Sequence, residues 1–350
     1  MASLGRNGVC PDWETDWMGL APMRSPYPES APERTRWILE RRQGLPRSPG
    51  LDPFRPSHWL RETEADGDGG EASILTAFLT NRECPWHCLM CDLWRHTLEK
   101  PVPAGAIPRQ IDHVLQADAE TQTKPADWLK LYNAGSFFDS GAIPRSDWGA
   151  IAVRARRFWR LVVECHPALV GERILPFRDL LGTGTRLEVA MGLETAHPGV
   201  LARLNKGVTL DAFARSAAFL KSHGIDLRVF ILVKPPFLDE AEALDWADQS
   251  TRFAFQCGAD VVSLIPTRSG NGALESLSEL GDFSPPRPET LETALRRGLL
   301  QRRGRVFADT WDLDRLCAGH PESAAIQERI RRMNRTQRPS ERDGTSKTGH

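Results

Sequence analysis

Short apolar runs alternate with amphipathic stretches along most of the chain, and this alternation predicts the fold. The runs are about four to eight residues long, rich in Val, Ile, Leu and Phe and bounded by Gly or Pro, as is typical of buried parallel strands. They are Ser73–Thr80, Trp128–Gly135, Arg160–His166, Leu187–Glu194, Leu227–Val233 and Ala259–Thr267, and a further strand-like run, Gly304–Thr310, follows the last helical stretch.

Helical patterns separate these strands. Thr209 is predicted to be the N-cap of a helix that stops at Gly224, and Pro198 suits a first helical turn. Further helices are predicted around the apolar face from Ile107 to Leu115, over Glu240–Gln256 and over Glu289–Leu300. Because strand and helix alternate about six times, we expect right-handed βαβ units and a parallel sheet. Periodicity alone leaves open whether that sheet closes.

Both ends of the chain depart from this pattern. Residues 1–71 are predicted to form an irregular extension with a short helix, Arg34–Arg42, and an acidic, glycine-rich linker, Glu62–Gly70. Residues 72–315 then form the strand–helix body, and residues 316–350 a C-terminal segment. Basic residues dominate from Arg329 to His350, so we expect a mobile tail there, either merely solvated or in contact with nucleic acid.

Length and charge exclude several classes of protein. The chain has 350 residues, with 45 basic and 46 acidic side chains, which excludes a basic nucleic-acid coat and an acidic disordered protein. Its apolar runs are far shorter than the roughly 18 residues that a membrane-spanning helix needs. Asp12, Glu14 and Asp16 lie where an export signal would be apolar, so we expect the cytoplasm, where thiols stay reduced.

Three of the seven cysteines give the strongest chemical signal. Cys84, Cys88 and Cys91 follow the first predicted strand closely, at the sheet edge where parallel α/β proteins bind ligands. A structural zinc normally takes four protein ligands, so a zinc site needs His87 or His96 in addition. An iron–sulfur cluster held by only three thiolates leaves one iron open to a small molecule. The cysteines themselves leave both alternatives open.

Several other strand ends carry candidate residues. Glu164 ends the third predicted strand and Glu194 the fourth, and a buried carboxylate there needs either a ligand or a salt bridge as its partner. Cys165 and His166 could supply a hydrogen atom or a proton. Their side chains point to opposite faces because they are adjacent on a strand, so only one of them can face a site.

The remaining candidates carry weaker signals. Lys234 places one cation at the mouth of the predicted barrel, and the turn Thr267–Gly272 allows close backbone approach to a ligand. Cys257 lies at a predicted helix end and is expected in the core. Cys317 and His320 resemble half of a metal site, but we expect no metal there.

The cysteine spacing, Cys-x-x-x-Cys-x-x-Cys after a first strand, resembles that of the radical S-adenosylmethionine superfamily, and thiolates suit iron–sulfur chemistry. Over residues 72–315 the chain is similar to the family of the archaeosine-synthase radical subunit and its bacterial relatives. The segments that carry this similarity are Cys84–Trp94, Lys130–Asp139, Val163–Pro167, Gly192–Thr195, Leu204–Lys206 and Ile265–Thr267.

The resemblance implies a fold and a set of cofactors. The fold is an α/β partial (β/α)6 TIM-like barrel with N- and C-terminal extensions. The cofactors are a 4Fe–4S cluster, held by Cys84, Cys88 and Cys91, and S-adenosylmethionine at the carboxyl ends of the strands.

The resemblance also implies contacts with S-adenosylmethionine. Met90 replaces the family's usual aromatic residue and can pack against adenine through its thioether. Gly135 and Ser136 match the turn that receives the methionine ammonium, although a Gly-Gly-Glu sequence is absent. Glu164 and Glu194 are candidates to bind the ribose of S-adenosylmethionine or its methionine ammonium.

The resulting hypothesis is a cytoplasmic radical S-adenosylmethionine enzyme, of lyase or transferase type. It would cleave S-adenosylmethionine to methionine and a 5′-deoxyadenosyl radical that takes hydrogen from a substrate. The resemblance implies a modified tRNA base as substrate and an electron donor such as flavodoxin or ferredoxin, while a small molecule or peptide substrate stays open. Two other classes also remain open: a zinc-stabilised RNA-binding module, and an interaction protein that has kept the barrel without activity.

Overall fold

The structure is a computed structural model that describes residues 25–122 and 124–340. The predictions for the first twenty residues and for the last ten concern parts of the chain outside these ranges. Eight strands form one sheet in the order of the chain. They are β1 His58–Ala65, β2 Glu71–Leu79, β3 Trp128–Asn133, β4 Arg160–Glu164, β5 Arg186–Glu194, β6 Asp226–Val233, β7 Val261–Pro266 and β8 Arg305–Ala308.

The sheet is parallel from β2 to β8, and β1 pairs antiparallel with β2 at one edge. Side chains from distant strands meet on one face. Arg228 on β6 donates to Glu64 on β1 at 2.7 Å, and the rings of Tyr132 on β3 and Phe230 on β6 lie 6.1 Å apart. The sheet is therefore curled around a lumen. No backbone pairing joins β8 to β1 in residues 25–340, so the predicted partial barrel is confirmed.

Most of the helices cover the outer, convex face of this sheet, while the first and the eighth pack with the loop after β2 in a second apolar cluster. The helices are α1 Ala31–Arg42, α2 Ala106–Thr121, α3 Trp148–Ala155, α4 Leu175–Leu181, α5 Pro198–Arg203, α6 Leu210–Ser222, α7 Glu240–Gln256, α8 Ala273–Glu279, α9 Pro288–Leu300, α10 Leu313–Leu316 and α11 Ser323–Thr336. The main apolar core lies between helices and sheet, where Leu75 and Leu129 on the strands meet Ile107 and Ile111 on α2. Most of the strands are buried on both faces and therefore appear in the sequence as continuous apolar runs. For this reason they begin and end close to the predicted residues.

The capping predictions are confirmed. The Thr209 side chain accepts a hydrogen bond from the Ala212 backbone N–H at 3.2 Å, and Pro198 opens α5. Gly224, with φ +68°, follows the end of α6 in the left-handed region that favours glycine.

The N-terminal region is more regular than the sequence predicted. The supposed linker from Glu62 begins inside β1, and Glu62 and Glu64 face the lumen. Lys130 Nζ lies 3.0 Å from Glu62 Oε1 and also contacts Glu64. The acidic run resembles a solvated segment because its cationic partners lie far away in the sequence.

The C-terminal region also differs from the prediction. Helix α11 includes the first part of the supposed tail and buries Ile326, Ile330 and Met333 in the main core. These three residues share one helical face while arginines cover the other, so the basic composition hid an amphipathic helix.

Side chains at the end of α11 complete the exposed edge of β8. The Asn334 amide accepts from the Ala308 N–H at 2.9 Å and donates to the Ala308 carbonyl at 2.8 Å. Gln337 makes the equivalent pair with Val306 at 2.8 and 3.0 Å. The two amides thus replace a ninth strand and block further pairing at this edge.

Among the residues described, none of the helices is both long and apolar enough to span a bilayer.

Candidate active site at the carboxyl ends of the strands

The three clustered cysteines lie on one loop directly after β2, and each keeps some exposed surface. The Cys84 thiol contacts the Trp86 carbonyl at 3.4 Å, and the Cys91 N–H donates to the Cys88 carbonyl at 3.2 Å. Burial raises the pKa of all three thiols, that of Cys88 to about 12. A metal that binds here must therefore displace their protons.

Two asparagines outside the loop hold its backbone. The Asn205 amide donates to the His87 carbonyl at 3.0 Å. Asn271, which is fully buried, donates to the carbonyls of Leu89 at 2.7 Å and Cys91 at 3.3 Å. The loop is therefore anchored to the turns after α5 and β7. The glycine-rich turn after β7, predicted as a ligand contact, here supplies a backbone anchor.

The N-terminal extension also holds the cysteine loop. Glu83, which precedes Cys84, forms salt bridges with Arg42 on α1 and with Arg47, both at 2.9 Å. The guanidinium groups of both arginines also lie within 6.0 Å of the centre of the Trp94 ring. The sequence assigned no role to this extension, because its partners become visible only in the folded chain.

The turn after β3 packs directly against the cysteine loop. A Cβ atom on Gly135, whose φ is +132°, would lie 2.7 Å from the Cys84 Cβ, so only glycine fits. The Ser136 hydroxyl accepts from the His166 N–H at 3.3 Å. The structure thus places Gly135 against Cys84 and Ser136 against His166, while their contact with S-adenosylmethionine stays a prediction.

The carboxyl at the end of β4 has one hydrogen-bond partner, which comes from the backbone of β3. Glu164 accepts from the Asn133 backbone N–H at 2.8 Å, and burial raises the pKa of this carboxyl to about 8. Both polar atoms of the Asn133 side chain are buried without any hydrogen-bond partner in the described structure. Asn133 is paired in register with Leu79, which points into the main core, so its side chain lies on the face of the sheet opposite to Glu164.

Glu194 at the end of β5 has a protein partner, the buried Lys206 ammonium. Burial alone would lower the pKa of Lys206, but the neighbouring Glu194 outweighs burial and raises it. Glu194 adopts φ +68°, and a Cβ on Gly192 would collide with both charged groups. Of the two partners that the sequence allowed for Glu194, the structure shows the salt bridge.

Cys165 and His166 point to opposite faces, as predicted. Cys165 lies in the main core, where burial raises its thiol pKa to about 12. The His166 ring stacks on Trp86 of the cysteine loop, with 3.7 Å between ring centres, and its Nε2 lies 3.1 Å from the Lys206 carbonyl. Burial lowers the pKa of His166 to about 4, so its ring is neutral near pH 7.

Met90 and Lys234 have partners within the protein. Met90 packs, half-buried, against a second apolar cluster that includes Leu89 and Leu204. The Lys234 ammonium contacts Glu240 at 2.8 Å and the Ser284 hydroxyl at 2.7 Å.

Two of the isolated cysteines that the structure describes lie in or against the main core, away from the cysteine loop. Cys257 is half-buried against the main core, and Cys317 is fully buried within it. His320 pairs with Glu289 at 2.6 Å. Across residues 25–122 and 124–340, no three His, Cys, Asp or Glu side chains are placed to hold a single metal ion. A 4Fe–4S cluster differs in geometry, since each thiolate binds a separate iron.

Comparison with known proteins identifies two relatives that share a name. The chain is 26% identical over 258 residues to archaeosine synthase subunit beta of Methanosarcina acetivorans, covering 71% of this chain and 73% of that protein. It is 28% identical over 238 residues to the protein of the same name from Thermococcus kodakarensis, covering 66% and 72%. An uncharacterized protein of Methanocaldococcus jannaschii is 23% identical over 206 residues, and the match spans only 56% of its length. No protein-family model matches the chain.

Solved structures include similar but distant folds. Elp3 of Methanocaldococcus infernus has a TM-score of 0.46 at 15% identity, covering 56% of this chain and 51% of its own. Methylornithine synthase also has a TM-score of 0.46, at 13% identity, covering 80% and 72%. The two relatives named archaeosine synthase subunit beta agree with the resemblance that the cysteine spacing indicated, and the chain is similar to proteins of the radical S-adenosylmethionine superfamily.

Proposed function

We propose that this chain is a cytoplasmic enzyme that uses S-adenosylmethionine to take a hydrogen atom from its substrate. The observation that carries the proposal is the single loop of Cys84, Cys88 and Cys91 at the carboxyl end of the first parallel strand. When bound there, a 4Fe–4S cluster supplies the electron that cleaves S-adenosylmethionine to methionine and a 5′-deoxyadenosyl radical. A reduced flavodoxin or ferredoxin is the proposed source of that electron.

The residues around the cysteine loop suit the binding of S-adenosylmethionine. Gly135 keeps the β3–α3 connection close to Cys84, which leaves backbone carbonyls at hand for the methionine ammonium. Glu164 adds a carboxyl at the neighbouring strand end, held by the Asn133 backbone N–H. We assign Glu194 to the same pocket, with Lys206 holding its carboxylate, and Met90 to the adenine.

We further propose a modified base in tRNA as substrate. The support is the name of two relatives, archaeosine synthase subunit beta, together with the length of chain that they share. That name also suggests a second subunit as partner. A small molecule or a peptide is the alternative substrate.

Anaerobic reconstitution with iron and sulfide tests the proposal. We expect iron–sulfur absorption and, with reductant and S-adenosylmethionine, formation of 5′-deoxyadenosine. Cys88→Ala should lose both signals, whereas Cys257→Ala, which changes a cysteine outside the loop, should keep them. Wild type that performs no better than Cys88→Ala overturns the proposal. One zinc per chain without iron would instead favour an RNA-binding module, and a cluster that never responds to S-adenosylmethionine would favour an interaction protein.

A further inference from the structure

Five aromatic side chains follow one another around the upper lumen of the barrel, and we call them the ring wall. His58 and Phe78 lie 6.0 Å apart between ring centres, Phe78 and Tyr132 6.1 Å, and Tyr132 and Phe230 6.1 Å. Trp311, just beyond β8, closes the set at 5.2 Å from His58 and 5.3 Å from Phe78. The wall therefore draws on both edges of the sheet and on its middle.

Strand register places these rings on the concave face. His58 is paired with Phe78, and Phe78 with Tyr132, and residues paired in this way point to the same side of a sheet. Their neighbours Ala77 and Leu79 point the other way, into the core beneath the helices. The rings consequently face the lumen and make no part of the main apolar core.

The ring wall is not closed off as a packed core would be. Trp311 is 51% exposed and His58 is also exposed, while Phe78, Tyr132 and Phe230 are half-buried. Accessible rings that face an internal space are typical of a ligand site, because packing would otherwise cover them.

Charged side chains close the lumen below the rings. Lys130 and Arg228 share the carboxylate of Glu64, and Lys130 also contacts Glu62 at 3.0 Å. This layer is internally paired and lies before the rings along the strands, since Lys130 precedes Tyr132 on β3 and Arg228 precedes Phe230 on β6. Burial raises the pKa of Tyr132, which keeps its phenol protonated as a hydrogen-bond donor within the wall.

One arginine connects the ring wall to the cysteine loop. Arg268 Nε lies 3.4 Å from Asp92, the residue after Cys91, and its Nη1 lies 3.2 Å from Asp312, the residue after Trp311. A ligand against Trp311 would thus be next to the loop on which the radical chemistry is proposed to start.

We propose that the ring wall binds a flat heteroaromatic ring of the substrate, with Trp311 as its stacking platform and the Tyr132 hydroxyl as a polar contact. The proposal rests on the proposed function. Among the substrates considered there, it favours one that carries an aromatic heterocycle. Aromatic side chains stack on a flat ring irrespective of its exact substituents, whereas an aliphatic amino acid has no flat π face to offer such a wall.

The test uses full-length, cluster-loaded protein under anaerobic conditions, with saturating S-adenosylmethionine so that the adenine site of the cofactor is filled. Guanosine and uridine serve as ring ligands, and ribose and lysine as ligands without an aromatic ring, each titrated by calorimetry. We expect guanosine and uridine to bind and ribose and lysine not to. Trp311→Ala should weaken nucleoside binding roughly tenfold or more, whereas Trp311→Phe should keep most of it.

Trp159→Ala is the matched control, because Trp159 is similarly exposed, at 46%, but precedes β4 at the opposite end of the strands. It should bind guanosine like wild type. Equal guanosine binding by wild type and Trp311→Ala, or tighter binding of lysine than of either nucleoside, overturns the proposal.

The response of the reduced cluster to S-adenosylmethionine in electron paramagnetic resonance, measured on the same samples, reports on the proposed function separately. If the cluster signal responds to S-adenosylmethionine but no nucleoside binds, only the ring-wall proposal is contradicted. No cluster response at all sinks the proposed function, whether or not nucleosides bind.

Discussion

At the scale of single residues, the two carboxylates that end neighbouring strands differ in their partners. Glu164 and Glu194 both end strands, and the sequence could not decide between a ligand and a salt bridge for either. The structure gives Glu194 a buried ammonium and Glu164 only a backbone N–H. Lys206 lies twelve residues beyond Glu194, so no local pattern reveals the pair.

Gly192 provides the first prediction at this scale. A side chain on Gly192 would occupy the space of the Glu194–Lys206 pair, so Gly192→Ala should force the two charges apart in a buried place. We expect a loss of about 3–5 kcal/mol in the free energy of unfolding, as for a broken buried ion pair. Urea denaturation measures it, with Gly184→Ala as control because open space surrounds that glycine. Equal losses in both variants would contradict this account.

Glu164 provides a second prediction, on pH. The pKa of this carboxyl is about 8 in the fold, above the ordinary value of 4.5, because burial favours the neutral form. Its contribution to stability is therefore complete below about pH 4.5 and is lost as the pH rises through 8, at about 1.4 kcal/mol per pH unit as an upper bound. In urea denaturation of cluster-free protein between pH 5 and 8, wild type should lose stability relative to Glu164→Gln, which cannot titrate. A constant difference between the two would refute the assignment.

At the scale of elements, the pattern of apolar residues predicted most of the strands well, but it missed a strand and a helix toward the two ends of the chain. Helix α7 occupies the predicted range Glu240–Gln256, because an Asp239 cap and a regular apolar face mark it locally. Strand β1 was missed, since Glu62 and Glu64 break the apolar pattern and gain partners only when the sheet curls. Helix α11 was missed because its arginines dominate the composition.

The edge of β8 yields the element-scale prediction. Asn334→Ala and Gln337→Ala each remove an amide that satisfies two backbone groups of β8, leaving a strand edge unpaired. Each variant should lose about 1–3 kcal/mol in the free energy of unfolding, and hydrogen exchange should speed up in β8 before it does in β5. Arg335→Ala changes an exposed residue on the same helix and should match wild type. Unchanged protection of β8 in Gln337→Ala would show that the amides do not seal this edge.

At the scale of the whole molecule, the lumen is divided into an open ring wall above and a layer of charges below. Sequence patterns predicted the strands that form the barrel, because their apolar periods are local. The contents of the lumen follow from contacts between strands far apart in sequence, such as Arg228 with Glu64. The composition shows a nearly neutral chain, but it could not show that some of the oppositely charged side chains pair with one another inside the barrel.

That charged layer carries the last prediction. Glu188, fully buried, contacts Arg160 and lies 2.6 Å from Arg228. Burial alone would raise the pKa of Glu188, but the two guanidinium groups outweigh it and lower the pKa. Its stabilising effect is therefore present above the ordinary pKa of a glutamate and is lost as the pH falls through its folded value.

Glu188→Gln removes the negative charge that pairs with the two buried guanidinium groups. It should lower the free energy of unfolding by about 3–5 kcal/mol near pH 7. Glu71→Gln, an exposed substitution at the start of β2, should cost nothing measurable. Because the neutral amide of the variant does not respond to protonation, the difference between wild type and Glu188→Gln should shrink when denaturation is repeated in acid. A difference that stays constant down to the acid transition would mean that Glu188 contributes through packing. The charges below the ring wall would then not be what holds the strands together at that end of the lumen.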